Sequence, residues 1–420
     1  MFKVRYHYSA CISFVTSEVS VLCDPWFTDG AYDGAWFQYP KLAKPLEVIG
    51  KCDLVYISHI HPDHYDRVFL KRYLSVYPDA RVVIADFKKN YLSKKMTADG
   101  IKHEIVSEMS FGETRISIMA NELNPYDVDS ALAVRRGNLA AVNMNDNLFN
   151  RVQIDRIMQF CGGNISLACL PYAGAGPYPQ TYELPPDAMK ARAEEKKKQF
   201  FARYAALRDA LQPERVLPFA GKYFLGGRLT EMNPNRGVSD AVEVMEFCDR
   251  AFVLEDGGTE FYDLETGQIS KKRERVYDSG EIEVFLKSIR NSKMDYEEKF
   301  ASLAADDVPW ERLIGVAYRN ALKKSFVKGD YFLILQPGPG LFFALNFNSG
   351  NEPYMKRILP EEVQRYIPRS VITIDHRHLF GLLTGVWHWN NAEIGSHFKV
   401  NRTPDVFSRD VQAFLNFFHV

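Results

Sequence analysis

Residues 53–66 read Asp-Leu-Val-Tyr-Ile-Ser-His-Ile-His-Pro-Asp-His-Tyr-Asp, and no other stretch narrows the choice of fold so far. Residues 53–57 form a short apolar run of the kind that becomes a buried strand. Directly behind it, His59, His61, Asp63 and His64 crowd three imidazoles and a carboxylate into six residues. Ring nitrogens and carboxylate oxygens are the donors that hold zinc, iron or manganese. A strand end keeps such side chains still while leaving them open to solvent and substrate. Alternate residues of an extended segment point the same way, so His59 and His61 reach one ion. The turn at Pro62 sends Asp63 and His64 toward a second ion beside it. The competing reading is a histidine-rich surface turn without metal.

The rest of the composition excludes more than it assigns. A chain of 420 residues exceeds one small core, which favours two domains. Lys plus Arg number 52 against 53 Asp plus Glu, so bulk charge gives no hold on nucleic acid. No run of ~20 apolar residues predicts a transmembrane helix. The first eight residues alternate as a strand does, without the charged start and apolar stretch of a secretory leader, and the expected location is the cytoplasm. Cys11, Cys23, Cys52, Cys161, Cys169 and Cys248 lack CxxC spacing, which argues against a zinc ribbon or a Rieske cluster and for reduced, buried thiols.

Strand-like runs at 2–8, 10–16 and 19–23 precede a glycine- and aromatic-rich loop, 28–39. Further strands are predicted at 81–85, 114–120, 131–135, 139–144, 165–170 and 216–219, with helices after Pro62 and over 186–211. Strands first, then alternating helices and strands, suit two packed sheets with helices outside. The texture changes near residue 250. The expected organisation is a metal-binding domain over 1–250, a charged connecting segment over 251–300, and a smaller α+β domain over 301–420. In that last unit the pattern predicts a helix over 310–324, a hairpin around Pro337-Gly338-Pro339-Gly340, and an amphipathic helix over 406–418 with Phe407, Val411, Phe414, Leu415 and Phe418 inward. His376-Arg377-His378 reads as a strand and Trp387–Asn391 as core or interface; metal contact and a sugar pocket are their competing roles. The loop Trp26–Trp36 reads equally as a substrate cover or as ordinary packing.

The segment His59-x-His61-x-Asp63-His64 resembles the signature of the metallo-β-lactamase superfamily. The resemblance implies an αββα sandwich over about residues 1–250, followed by the smaller α+β domain. It implies that Asp24, after Val21-Leu22-Cys23, supports the metal loop through hydrogen bonds, and that Asp146 bridges two metals. The stretches His7-Tyr8-Ser9-Ala10, Asp24-Pro25-Trp26-Phe27, Pro171-Tyr172-Ala173-Gly174 and Pro218-Phe219-Ala220-Gly221 resemble one branch of that superfamily. It contains the UlaG-type lactonases, N-acylphosphatidylethanolamine phospholipase D and the hydrolase-like part of CMP-N-acetylneuraminate hydroxylase.

Two histidines of the family pattern are absent, one near residues 119–130 and one near Pro218. Glu122, Asn124, Asp127 and Asp129 are the candidate oxygen ligands in their place, and oxygen donors favour a harder ion such as iron or manganese. A weak or empty site is the alternative. The resemblance implies one or two divalent ions, zinc or iron with manganese also compatible. It implies hydrolysis of a small ester, lactone or phosphodiester, with Asp63 both ligating and orienting the attacking water. Two other readings stay open: an iron-dependent oxygenase acting on a nucleotide sugar, and a non-catalytic protein that binds a partner or lipid. The expected substrate is a small molecule bearing phosphate or sugar. Lys222, Arg228 and Arg236 are candidates to clamp its anionic group, with a solvated loop as the competing reading.

Overall fold

The computed structural model describes residues 1–121, 123, 129–327, 329–347 and 354–420. Two mixed sheets of similar design face each other. The first has seven strands in the order Phe261–Asp263, Phe2–Tyr8, Cys11–Thr16, Ser20–Cys23, Leu54–Ile57, Arg81–Ile84, Glu104–Ile105. The second has six, in the order Arg215–Phe219, Leu167–Pro171, Leu139–Asn143, Ser130–Arg136, Thr114–Ala120, Glu108–Phe111. In each sheet a run of antiparallel pairs gives way to parallel ones, from Ser20–Cys23 in the first and from Leu139–Asn143 in the second. Parallel strands buried on both faces need near-continuous apolar sequence, and Leu54–Ile57 is buried at every position.

Ile12, Phe14, Leu54 and Tyr56 of the first sheet meet Ile118, Leu132, Leu167 and Leu217 of the second in the central core. Helices cover both outer faces. Arg67–Val76 starts where the Asp66 carboxylate accepts from the Phe69 amide at 2.9 Å, and it buries Phe69, Leu70 and Tyr73 on the first sheet. The long helix Pro186–Leu211 lays Tyr204, Leu207 and Leu211 on the second. The layers are therefore helix, sheet, sheet, helix, the αββα sandwich of the metallo-β-lactamase type. Parallel strands in both sheets deliver their carboxyl ends to one edge, the usual place for a ligand in such sheets.

The sandwich does not stop at residue 250. Strand Phe261–Asp263 pairs with Phe2–Tyr8, Lys3 opposite Asp263, at the outer edge of the first sheet. Three residues are too few to show an alternating pattern, so the sequence reads there only as charged. Helix Ser279–Ile289 lies in the same charged stretch.

The C-terminal unit is a five-stranded sheet in the order Met355–Ile358, Leu341–Asn346, Phe332–Gly338, Arg369–Ile374, Phe398–Thr403, with helix Trp310–Ser325 packed into its core. Two local expectations fail here. His376 opens a helix, His376–Leu383, not a strand, because the Asp375 carboxylate caps it by accepting from the Arg377 amide at 3.0 Å. The last helix is only Arg409–Leu415, so Phe407 precedes it and is 61% exposed while Phe414, Leu415 and Phe418 are buried. The unit is tied to the sandwich. The Val400 amide donates to the Thr181 carbonyl at 2.8 Å, and Arg228 pairs with Asp375 at 2.9 Å. Among the described residues no helix is long and apolar enough to cross a membrane.

Candidate metal centre

The strand Leu54–Ile57 ends at Ser58, and Asp24, at the end of the neighbouring strand, locks that end in place. One Asp24 oxygen accepts from the Ser58 amide at 2.8 Å and the other from the Ser58 hydroxyl at 2.6 Å. Asp24 is fully buried at a φ of 40°, a strained setting for a residue with a side chain. The second sheet is tied in at the same point. The Ser130 hydroxyl donates to the Ser58 carbonyl at 2.9 Å, and the Tyr56 hydroxyl lies 2.7 Å from Ser130 Oγ. Asn145, also at positive φ, donates through its side chain to the Ser130 carbonyl at 2.9 Å, which fixes the turn that presents Asp146.

Each of the three motif histidines has one ring nitrogen engaged by oxygen on the outside. His64 Nδ1 lies 2.8 Å from Asp24 Oδ2. His59 Nδ1 lies 2.9 Å from Ser58 Oγ and 3.3 Å from Asp129 Oδ1. His61 Nε2 lies 3.0 Å from the side-chain oxygen of Asn390, in the C-terminal unit. The other nitrogens turn inward. His59 Nε2 is 2.8 Å from His61 Nδ1, and His64 Nε2 is 3.4 Å from Asp146 Oδ2 and 3.6 Å from Asp63 Oδ2. Bonds of ~2.1 Å to one ion put its donors roughly 3–3.5 Å apart. Donor atoms of His59, His64 and Asp146 all lie within 4.8 Å of one another. The His64–Asp146 pair has the spacing of donors to one ion, at 3.4 Å, and the donor types and outward oxygen partners fit a divalent ion. Asp63 stands beside this set, and its Oδ1 accepts from the Tyr32 hydroxyl at 2.5 Å.

The electrostatics match an enclosure built for positive charge. Burial pushes His59 down to about 3 and His61 to about 4, so both rings are neutral and available as ligands at neutral pH. Burial also opposes charge on His64, but Asp63, Asp146 and Asp24 together hold it well above the ordinary imidazole value. Asp146, its side chain 45% exposed at the cavity, has its carboxyl held at about 2 by His64 beside it. Burial raises Asp63, and it raises Asp129 well above the carboxylate range.

The centre opens on a cavity of about 180 Å³ lined by Tyr32, Trp36, His61, Asp63, Asp146 and Lys222, among others. Trp36 stacks on Tyr223 at 3.6 Å, giving it an aromatic wall. Lys222 is buried, pairs with Asp256 at 2.6 Å and donates to the Tyr277 hydroxyl. The other two basic candidates lie elsewhere. Arg228 bridges to Asp375, and Arg236 is buried with its guanidinium donating to the Tyr223 and Asn233 carbonyls. Both are held by partners that account for them structurally. Glu122, Asn124 and Asp127 fall outside the described residues. Asp129 is beside the outer nitrogen of His59, and Asp24 beside that of His64, so both stand behind the ligands.

Sequence reasoning did not single out Tyr32, Ser58, Ser130, Asn145 or the contact from Asn390. The only available signals were the position of Tyr32 in the loop next to Asp24, and the unusual run Trp387–Asn391.

No model of a known protein family matches the chain. A protein of Mycobacterium tuberculosis named as a Rieske 2Fe-2S iron-sulfur protein is 31% identical over 230 residues, 52% of this chain and 43% of that protein. The cytidine monophosphate-N-acetylneuraminic acid hydroxylase of Asterias rubens is 27% identical over 237 residues, 53% of this chain and 35% of the hydroxylase. The chain thus spans less than half the length of these curated relatives. The solved structure of Igni18, a metallo hydrolase of Ignicoccus hospitalis, aligns with 62% of this chain and 98% of its own, at 16% identity and a TM-score of 0.42. Two facing sheets whose parallel strand ends carry the histidine loop make this a metallo-β-lactamase fold, and over about half its length the chain is similar to the CMP-N-acetylneuraminate hydroxylases.

Proposed function

We propose that the chain is a metal-dependent hydrolase of a small ester, lactone or phosphodiester. The observation that carries this reading is the cluster of His59, His64 and Asp146 donor atoms within 4.8 Å of one another, with His61 against His59 and Asp63 against His64, at the mouth of a cavity. His59, His61, His64, Asp63 and Asp146 would hold one or two divalent ions. Such an ion supplies Lewis acidity, polarising the bond under attack and lowering the pKa of water.

The chain's own groups do the rest. Asp63 has one oxygen fixed by Tyr32 and the other facing His64 and Asp146, so it orients the attacking water and receives its proton. Lys222 lines the cavity, but its ammonium is already paired with Asp256 at 2.6 Å and with the Tyr277 hydroxyl, so it would meet an anionic group only by leaving Asp256. Trp36 and Tyr223 limit water on one side and offer a flat face to a ring.

A second reading is an iron-dependent oxygenase. It is supported by the hydroxylase name of one group of relatives and by the carboxylate-rich surroundings of the histidines, which suit iron. This chemistry needs electrons from a donor protein or reductant.

The two readings separate in one experiment. The metal-stripped chain is reloaded with Zn²⁺ or, without air, with Fe²⁺. It is then assayed on aryl esters, a lactone and bis(4-nitrophenyl) phosphate, and for oxygen uptake with a CMP-sugar and a chemical reductant. Hydrolysis that disappears in His61→Ala and Asp146→Ala is the expected result. Oxygen uptake coupled to sugar hydroxylation, with no hydrolysis, would replace the first reading by the second.

A further inference from the structure

We propose that Asn390 is a positioning residue of the metal centre: it fixes the ring of His61 so that Nδ1 faces the ion, which makes the C-terminal unit part of the site. The inference rests on the metal-binding reading above and extends it to a region 329 residues away in the chain.

A side-chain amide oxygen can only accept, so at 3.0 Å from Asn390 Oδ1 the Nε2 of His61 carries the proton. A neutral ring then has its lone pair on Nδ1, the nitrogen that lies 2.8 Å from His59 Nε2 inside the cage. His64 uses the opposite nitrogen, because Asp24 takes its Nδ1. The two rings are therefore set in opposite senses by two different partners. Only one of those partners belongs to the sandwich.

The segment that carries Asn390 is firmly seated. It lies in helix Trp389–Ile394, and the indole of Trp389 is buried in the C-terminal core, donating to the Phe418 carbonyl at 2.9 Å. The same segment reaches the site twice more. Ile394 lines the cavity, and His397 Nε2 lies 2.7 Å from the carbonyl of Tyr32, the residue whose hydroxyl holds Asp63. A short stretch of the C-terminal unit thus addresses both His61 and the support of Asp63. A hydrogen bond serving only to dock two units would need no such convergence.

The test uses the full chain as wild type, Asn390→Leu and Asn390→Asp. Affinity for Zn²⁺ alone is measured by competition with a chromogenic chelator, and unfolding of the metal-free proteins is measured in parallel. Asn390→Leu should bind Zn²⁺ 10–100-fold more weakly, the usual cost of losing such a support. Asn390→Asp, which restores an oxygen acceptor, should recover most of that loss. A purely structural role would instead lower the unfolding midpoint and leave the affinity of the folded protein unchanged, and that result overturns the proposal. Should Asn390→Leu fail to fold, ¹⁵N NMR of metal-free wild type decides. The Nε2–H form of His61, assigned with His61→Gln, supports the proposal, and the Nδ1–H form refutes it. Wild type that binds neither Zn²⁺ nor Fe²⁺ would sink the metal reading itself, an outcome distinct from equal affinities of wild type and Asn390→Leu.

Discussion

The two sides of the histidine loop are supported in different ways. On one side, His59 and His64 lean on Asp129, Ser58 and Asp24, all residues of the sandwich and all buried. On the other side, His61 and Asp63 lean on Asn390 and Tyr32, and Tyr32 is in turn held by His397. The first support is built when the two sheets pack. The second is completed only when the C-terminal unit docks on the loop that follows Asp24. Half of the centre is thus as stable as the core, and the other half is as stable as a junction.

Removing the sandwich's own support should have the largest effect. Asp24→Ala leaves the Ser58 amide, the Ser58 hydroxyl and His64 Nδ1 without their acceptor in a dry interior. Breaking a buried charged network of this kind costs about 3–5 kcal/mol. Urea unfolding should show that loss together with loss of bound metal. Wild-type stability in Asp24→Ala would mean that the first side is not anchored as described.

A smaller effect is expected at the junction. Burial raises the carboxyl of Asp33 to about 6 from an ordinary value of 3.8. It lies 3.2 Å from His378 Nε2, and His397, Asn391 and His388 also act on it. Asp295 across the junction is raised by its own burial and by Asp33. The native state holds the Asp33 proton more tightly than the unfolded chain does, so its contribution is full at low pH and is lost as pH rises. The loss accrues between about pH 4 and 6 and then levels off. A rise of that size corresponds to about 2–3 kcal/mol at most. Asp33→Asn should therefore gain stability relative to wild type across that window, in urea unfolding at a series of pH values. Parallel pH profiles for the two proteins would show that the junction does not feel this group.

The sequence made the ligands and Asp24 far more legible than the supports of His61 and Asp63, for a physical reason. His59, His61, Asp63 and His64 are neighbours in the chain, and Asp24 and Asp146 follow strands whose apolar runs can be recognised. The alternation of strands and helices likewise foretold the sandwich and the long helix Pro186–Leu211. Tyr32 meets Asp63 across 31 residues and Asn390 meets His61 across 329, contacts that no periodicity encodes. Where the reading of the C-terminal unit went astray, at His376 and Phe407, capping by Asp375 and Ser408 overrode the apparent pattern. Arg228 and Arg236, plausible anion clamps by type and position, turn out to hold a carboxylate of the other unit and backbone carbonyls.

The central claim is that the inward nitrogens of this loop, with Asp63 and Asp146, capture a divalent cation. The most direct measurement is the metal content of the full chain after stripping with chelator and reloading without air, read by elemental analysis beside His64→Ala. Retention of about one or two equivalents of zinc or iron by wild type, and far less by the variant, is the expected result. Equal and negligible retention by both proteins would contradict it.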